Sequence, residues 1–209
     1  MRVMKVKGTG RVETPPDIVR ISLDVESVEQ NYEECVRGLN MRTEKLREAM
    51  SAAGIERAEL KTRSFRIDIK TEYINKRYAF WGYKGSHNLC VELPADKELL
   101  NRVLQQIAEG HSGAEVSISF SVKDTDALHK KVLARAVQDA KENARTLAEA
   151  AGLTLGEIVQ MDYGWSEVRV YDRRMDMVCE SGPAEYGPDI EPEDVSSQDS
   201  VTLVYELSG

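Results

Sequence analysis

The sequence predicts an α+β fold in which two β-α-β-β units are fused into one mostly antiparallel sheet. The helices are expected largely on one face of that sheet, with one further helix connecting the two units. Apolar and polar residues alternate in several runs, which is typical of half-buried strands. Longer stretches carry apolar residues at helical spacing, and two of them end in the same Ala-Ala-Gly signal.

The N-terminal stretch is predicted to form strands despite its glycines. Val3 to Val6 leads into Gly8-Thr9-Gly10, and Pro15-Pro16 then precede the alternating run Ile18 to Glu26. A phosphate-binding glycine loop must open a helix, whereas this one leads through prolines into a strand. The glycines therefore indicate a bulge or bend within an edge strand.

A first helix is predicted from Asn31 to Gly54. Asn31 and Glu34 form a capping pair at its start, and Gly54 supplies a left-handed stop at its end. Cys35 lies on the apolar side of this helix, so it is interpreted as a core residue rather than a nucleophile.

Two strands, Lys61 to Tyr73 and Tyr78 to Leu93, form a predicted hairpin. Aromatic residues suit strands intrinsically, so core and cross-strand packing is one interpretation of the aromatic cluster that opens the second strand. The other is a ligand platform or a partner surface. The candidate ligand-binding residues are therefore Tyr78, Phe80, Trp81 and Tyr83.

A linking helix is predicted over 96–110, followed by the alternating strand Glu115 to Val122. The longest helix begins after Asp124 and is closed by Gly152. It carries small side chains at four-residue spacing on one side, and such a stripe lets another backbone approach closely. Packing on the sheet or on another subunit is therefore predicted for Ala136, Ala140, Ala144 and Ala148.

The C-terminal part is predicted to contain a strand from Glu157 to Met161 that continues through Val170, and a closing strand from Val201 to Leu207. Between them, residues 172–200 are polar, acidic and rich in Pro and Gly, which indicates an extended surface loop.

The two halves resemble each other in their order of predicted elements. An approximate repeat relates 18–93 to 115–207, because each half reads strand, helix, strand, strand, with the helix ending in Ala-Ala-Gly. Residues 1–209 are therefore expected to form a single domain.

The composition excludes several classes of function. The net charge of -8 argues against nucleic acid or an anionic membrane as a partner, because both need a basic face. No membrane span is predicted, because no run of about 18 apolar residues occurs. Cys35, Cys90 and Cys179 are odd in number and lack metal-ligand spacing, which favours reduced thiols.

The first residues, Met-Arg-Val-Met-Lys-Val, lack the apolar stretch of about 7 to 15 residues that a signal peptide contains. A cytoplasmic location is therefore expected for the chain as written, and a periplasmic or cell-surface location if a leader has been trimmed.

No catalytic or metal site is predicted. His87, His111 and His129 are far apart in sequence, and none lies in an H-x-x-x-H or C-x-x-C frame. No G-x-S-x-G motif or P-loop occurs. We therefore expect a protein that is not an enzyme and that has neither a metal nor another cofactor.

Taken together, several segments resemble the SIMPL-domain family, through their order and spacing rather than any single motif. The resemblance extends from about Val3 to Leu207. It implies a bacterial protein whose biochemical role is undefined and for which no catalytic residues are accepted. Members of the family are commonly exported, some form homo-oligomers, and links to stress have been suggested for some. The segments are V-K-G-T-G-R-V, P-P-D-I-V-R-I-S-L-D-V-E, G-Y-K-G-S-H-N-L-C-V-E-L and A-R-A-V-Q-D-A-K-E-N-A-R-T-L-A-E-A-A-G-L-T-L-G-E.

Two hypotheses for function follow from these observations. The favoured one is a non-enzymatic homo-oligomeric assembly or interaction protein that associates through sheet edges and the alanine helix. The alternative is a small-molecule-binding protein that uses the aromatic strand near residues 78–83, with a ligand that the sequence does not identify.

Overall fold

The structure is a computed structural model that describes residues 2–74, 76–164, 175–178 and 190–208. Its helices and strands follow the chain in the order β1 (Arg2–Thr14), β2 (Ile18–Glu29), α1 (Tyr32–Ala52), β3 (Lys61–Ile74), β4 (Arg77–Pro94), α2 (Lys97–Glu109), β5 (Glu115–Ser121), α3 (Thr125–Ala150), β6 (Thr154–Asp162), β7 (Met175–Val178) and β8 (Val195–Ser208).

The α+β class is confirmed, but the strands form two sheets rather than one fused sheet. The chain separates into two compact units. Unit 1 contains the sheet β1-β8-β6 and unit 2 contains the sheet β3-β4-β2-β5-β7. The reason is β1, which lies outside the predicted repeat and pairs with β8 along its whole length. That pairing places the closing strand, β8, between β1 and β6 in a second sheet.

In unit 2, α1 packs on β2, β4 and α2. The predicted start of α1 is confirmed, because the Asn31 side chain accepts a hydrogen bond from the Glu33 N–H at 2.8 Å. Gly54 has a φ of 92°, the left-handed conformation predicted from the sequence. The core of the unit has Ile21, Leu23, Leu39, Leu46, Leu89 and Ile118 at its centre, each with 0% of its surface exposed.

In unit 1, α3 packs on β1 and β8 through its alanines. Gly8 and Gly10 lie in β1, which has no register shift against β8, so the predicted bulge is absent. Glycine is needed at both positions because α3 packs too close to β1 to leave room for a side chain. A Cβ at Gly8 would lie 2.6 Å from the Ala140 Cβ, and one at Gly10 would lie 2.7 Å from the Ala136 N.

The predicted loop over 172–200 is shorter than expected, because β8 begins at Val195 and β7 occupies 175–178. Val195 and Ser197 are 3% and 1% exposed and continue the inward alternation of Val201 and Leu203. The start of β8 was not predicted because Ser197, a polar residue, occupies an inward position there and breaks the apolar alternation. Residues 165–174 and 179–189 lie outside the described part of the chain, together with the predicted extension of β6 through Val170.

Elements of the two predicted repeats occur in the expected order, but the second set is divided between the units. β5 belongs to the sheet of unit 2, whereas α3, β6 and β8 belong to unit 1. The single-domain organisation and the repeat itself stay predictions.

Ala140→Leu should destabilise the protein by about 1 to 3 kcal/mol, because the added atoms must enter the contact between α3 and Gly8. Thermal unfolding measures this, with about 2 to 4 °C lost per kcal/mol at this chain length. Ala134→Leu is the matched control, since Ala134 lies outside the buried alanine stripe of the same helix. Equal melting temperatures for the two variants would contradict the packing described.

Candidate functional site

The most unusual surface of unit 2 is the hairpin of β3 and β4. The strands pair antiparallel from Lys61 opposite Cys90 to Ile74 opposite Arg77, which confirms the predicted hairpin. Lys76, which comes just before β4, has a φ of 62°, a left-handed conformation of the kind that tight hairpin connections contain.

Helix α1 covers only part of this hairpin. It packs on β2 and β4, where Gly85 leaves room for α1: a Cβ there would lie 3.1 Å from the Leu39 Cδ2 and 3.2 Å from the Cys35 Sγ. Cys35 is 0% exposed, as its predicted core position requires. Among the described strands, β3 lies at the edge of the sheet and has β4 as its one neighbour. Within the described residues, one long edge of the sheet is therefore open.

Five large apolar side chains of the hairpin are exposed, and we call them the hairpin face. Contiguous exposed apolar groups of this kind mark interaction or ligand sites more often than isolated ones do. The members and their exposed fractions are Phe65 (50%), Ile69 (66%), Tyr73 (64%), Tyr78 (78%) and Phe80 (58%).

Strand geometry places these residues on one side of the sheet. Phe65, Ile69 and Tyr73 recur at intervals of four along β3, so their side chains point the same way. Tyr78 lies directly opposite Tyr73, with ring centroids 5.0 Å apart. Phe80 lies opposite Thr71, which shares the alternation of Tyr73.

A β-bulge at Trp81 divides the aromatic cluster. Lys70 pairs with Gly82 and Thr71 pairs with Phe80, so Trp81 is an extra residue on β4. The Lys70 Nζ lies 4.6 Å from the centroid of the Trp81 ring. Because Lys70 alternates with Ile69 along β3, this contact lies on the side away from the hairpin face.

The four candidate ligand-binding residues therefore do not converge on one point. Phe80 and Tyr83 are in edge-to-face contact at 5.4 Å, and Tyr83 contacts Tyr32 of α1 in the same way at 5.5 Å. Tyr78 packs on Tyr73, whereas Trp81 packs on Lys70. Sequence reasoning missed Phe65, Ile69 and Tyr73 as members of this surface, although their four-residue spacing on a strand was a visible signal.

The opposite side of β3 carries charges of alternating sign. These are Arg66, Asp68, Lys70 and Glu72. The Arg66 Nε lies 3.1 Å from the Asp68 Oδ2, with both side chains more than half exposed. An exposed pair of this kind contributes little to stability, so Arg66 and Asp68 can exchange each other for other charged partners at little cost. Lys70 lies over the Trp81 ring.

The candidate interface alanines lie inside unit 1. Ala136, Ala140 and Ala144 are 0% exposed and Ala148 is 3% exposed. Strands β1 and β8 cover this side of α3. Within the chain these residues therefore have no surface left to offer a second subunit.

Unit 1 also contains a small polar cluster that sequence spacing could not reveal. The His129 Nε2 lies 2.9 Å from the Tyr163 hydroxyl, which donates to the Asp199 Oδ2 at 3.0 Å. Burial, together with the Asp199 carboxylate, raises the pKa of Tyr163. The phenol is therefore protonated at neutral pH and bridges the two side chains.

His87 is a buried imidazole in unit 2 and is 7% exposed. Its Nδ1 lies 3.1 Å from the Thr43 hydroxyl and its Nε2 lies 2.9 Å from the Thr62 hydroxyl. Burial lowers the pKa of His87, and the positive charge of Arg47 lowers it further. The two hydroxyls therefore hold a neutral ring.

Two negative findings apply to the described residues alone. In this part of the chain, His, Cys, Asp and Glu side chains form no group of three or more that could hold a metal ion. Over the same residues, no helix combines the length and apolar character needed to cross a membrane.

Comparison with known proteins gives a family and two relatives. A model of the SIMPL family, described as a protein of unknown function (DUF541), matches residues 4–205. The sequence is 28% identical over 165 residues to the 26 kDa periplasmic immunogenic protein of Brucella abortus (strain S19). The same figures hold for the protein of that name from Brucella melitensis biotype 1. Each alignment covers 75% of this chain but only 64% of the relative's length.

We expect the stability of unit 2 to fall on acidification because of His87. Its pKa is lower in the folded state than in the unfolded state, so the unfolded chain binds the proton more readily. The stabilisation is complete above about pH 6.5 and is lost as the pH falls towards the folded pKa.

Melting temperatures of the wild type and of His87→Gln at pH 7.5 and pH 5 measure this contribution. The variant should be less stable at pH 7.5 but lose less on acidification. His111→Asn is the control, because His111 is exposed and Asn tolerates its φ of 47°. A fall on acidification that is the same in the wild type and His87→Gln would contradict this role.

Proposed function

Because the chain belongs to the SIMPL family of proteins of unknown function, we propose that it is a non-enzymatic protein that acts through self-association and contacts with other proteins. The observation that carries this proposal is the hairpin face, whose five large apolar residues are each at least half exposed. Burying such a surface against another protein is favourable, at about 25 cal/mol per Å² of apolar area removed from water.

The edge position of β3 supports the same proposal. Proteins usually protect edge strands with proline, bulges, short length or charged side chains. β3 is 14 residues long, contains neither proline nor glycine, and has its one extra residue, Arg63, before the segment from Ser64 to Tyr73. The charges within that segment are of both signs, so a strand with the complementary order of charges can pair with them. An open edge of this length favours continuation of the sheet into another polypeptide.

The contacts of the buried His87 and the partly buried His129 favour a structural role for both. His87 is held by two threonine hydroxyls, and His129 lies within a tyrosine and aspartate cluster. Both rings contact hydroxyl groups, of threonine for His87 and of tyrosine for His129, and neither contact set contains a Ser–His or Cys–His pair. The proposal of a non-enzymatic role rests on these contacts and on the absence of catalytic motifs from the sequence.

Small-molecule binding is the second candidate, favoured by the row of rings formed by Tyr32, Tyr83 and Phe80. A flat aromatic ligand could stack on this row. Native mass spectrometry of the purified protein decides between the candidates. A bound compound that is lost in Phe80→Ala would favour this one.

We further propose that the protein acts in the periplasm, as the names of the two Brucella relatives state for them. Fractionation of cells that express the native gene should recover the protein with periplasmic markers. Recovery with the cytoplasmic markers would contradict this location.

Size-exclusion chromatography with light scattering at high protein concentration tests self-association. We expect an oligomer for the wild type and at least about tenfold weaker association for the double variant Ile69→Ser, Tyr73→Ser, because both side chains are exposed on the edge strand β3 and buried apolar and aromatic groups dominate most interfaces. Met41→Ser is the control, since Met41 is 57% exposed on α1 and lies outside the hairpin face. A wild type that stays a monodisperse monomer would exclude self-association.

A further inference from the structure

We propose that two copies of this chain pair edge to edge through β3, antiparallel and in one register centred on Ile69. This inference rests on the proposed function, because it names a second copy of the chain as the partner of the three hairpin-face residues that lie on β3. The order of charges along β3 carries it.

The charges of β3 are antisymmetric about Ile69. In an antiparallel pair with Ile69 opposite itself, the residue three positions before it lies opposite the residue three positions after it. Arg66 then faces Glu72 of the second copy, and Asp68 faces Lys70. Two-fold symmetry repeats both pairs, so four pairs of opposite charge form.

Slipping the strands by two residues destroys this match. A register centred on Asp68 places Asp68 opposite itself and Arg66 opposite Lys70, so like charges meet. A register centred on Lys70 places Lys70 opposite itself and Asp68 opposite Glu72. Like charges directly opposite each other are destabilising. Registers centred on Ile67 or Thr71 keep two pairs of opposite charge, Arg66 with Asp68 or Lys70 with Glu72, whereas the register centred on Ile69 forms four. The charge order therefore favours the register centred on Ile69.

The apolar side of β3 fits the same register. Ile69 meets Ile69 of the second copy, and Phe65 meets Tyr73. These three residues are between 50% and 66% exposed in the single chain. Pairing therefore covers apolar surface on one side of the extended sheet while opposite charges pair on the other.

The strand is suited to continue the sheet. β3 is the last strand on its side of the sheet order β3-β4-β2-β5-β7, so its backbone groups that face away from β4 have no neighbouring strand among the described residues. The bulge at Trp81 belongs to β4, and β3 itself keeps regular alternation from Ser64 to Tyr73. An unbroken strand of this length can support a two-fold antiparallel ladder.

Charge exchange tests the register. Arg66→Glu alone and Glu72→Arg alone each place like charges opposite each other at two positions, so each variant should self-associate at least about tenfold more weakly than the wild type. Mixing the two variants should restore the complex, because each of these two positions then joins a carboxylate of one variant to a guanidinium of the other. Arg63→Glu is the control, as Arg63 is exposed on β3 but outside the antisymmetric segment.

Disulfide crosslinking tests the centre of symmetry. Ile69→Cys, with Cys90 and Cys179 replaced by serine, should oxidise to a covalent dimer, because residue 69 lies opposite itself. Ile67→Cys in the same background should not, because residue 67 lies opposite Thr71. The two cysteines are then about 13 Å apart along the strands, beyond disulfide reach.

The outcomes separate this inference from the proposed function. If the wild type associates but neither variant mixing nor Ile69→Cys behaves as expected, self-association stands and the β3 register is wrong. If the wild type is a monomer at high concentration, the register and self-association both fail. Restored association in the mixture together with the selective Ile69→Cys crosslink would establish the register.

Discussion

Unit 1 depends on the close approach of α3 to β1. The helix has alanines where most helices have larger residues, and the strand has Gly8 and Gly10 beneath them. Two polar contacts fix the helix along the strand: the Thr9 N–H donates to the Asp139 Oδ2 at 2.8 Å, and the Arg135 Nη1 donates to the Arg11 carbonyl at 2.7 Å. The alanines of α3 and the glycines of β1 are therefore needed together, because a larger side chain on either element would clash with the other and the close packing between them would be lost.

That constraint explains why the alanine stripe is unsuited to assembly. Side chains that are needed for backbone approach within the chain have no free surface for another copy. Apolar groups that remain exposed lie on strand edges and on outward positions of the helices, and exposed strand edges are the surfaces that proteins most often need to protect. β3 is one such edge, and β6, with Ile158, Val159 and Met161 between 39% and 53% exposed, is another.

Local signals in the sequence predicted individual elements well. The caps at Asn31, Asp96 and Asp124 all accept hydrogen bonds from the first turn of their helices, because capping depends on residues a few positions apart. The number of sheets could not be predicted in this way. It depends on β1 pairing with β8, a contact between the two ends of the chain that no short pattern encodes.

The candidate site was predictable in part for the same reason. Phe80 and Tyr83 stood out by composition, but their contact depends on the extra residue at Trp81, which only the register with β3 reveals. His129, Tyr163 and Asp199 come from three separate segments, so their cluster exists only in the folded unit.

The extra residue at Trp81 also bears on how the hairpin could change during evolution. An insertion of one residue in a strand exchanges the two sides for everything beyond it. Loss of the bulge would therefore move the side chains at the tip of β4 to the opposite side of the sheet. The base of β4, from Tyr83 to Leu93, would keep its register with β2. A homologue that gained or lost this one residue would display different side chains at the tip on an unchanged core.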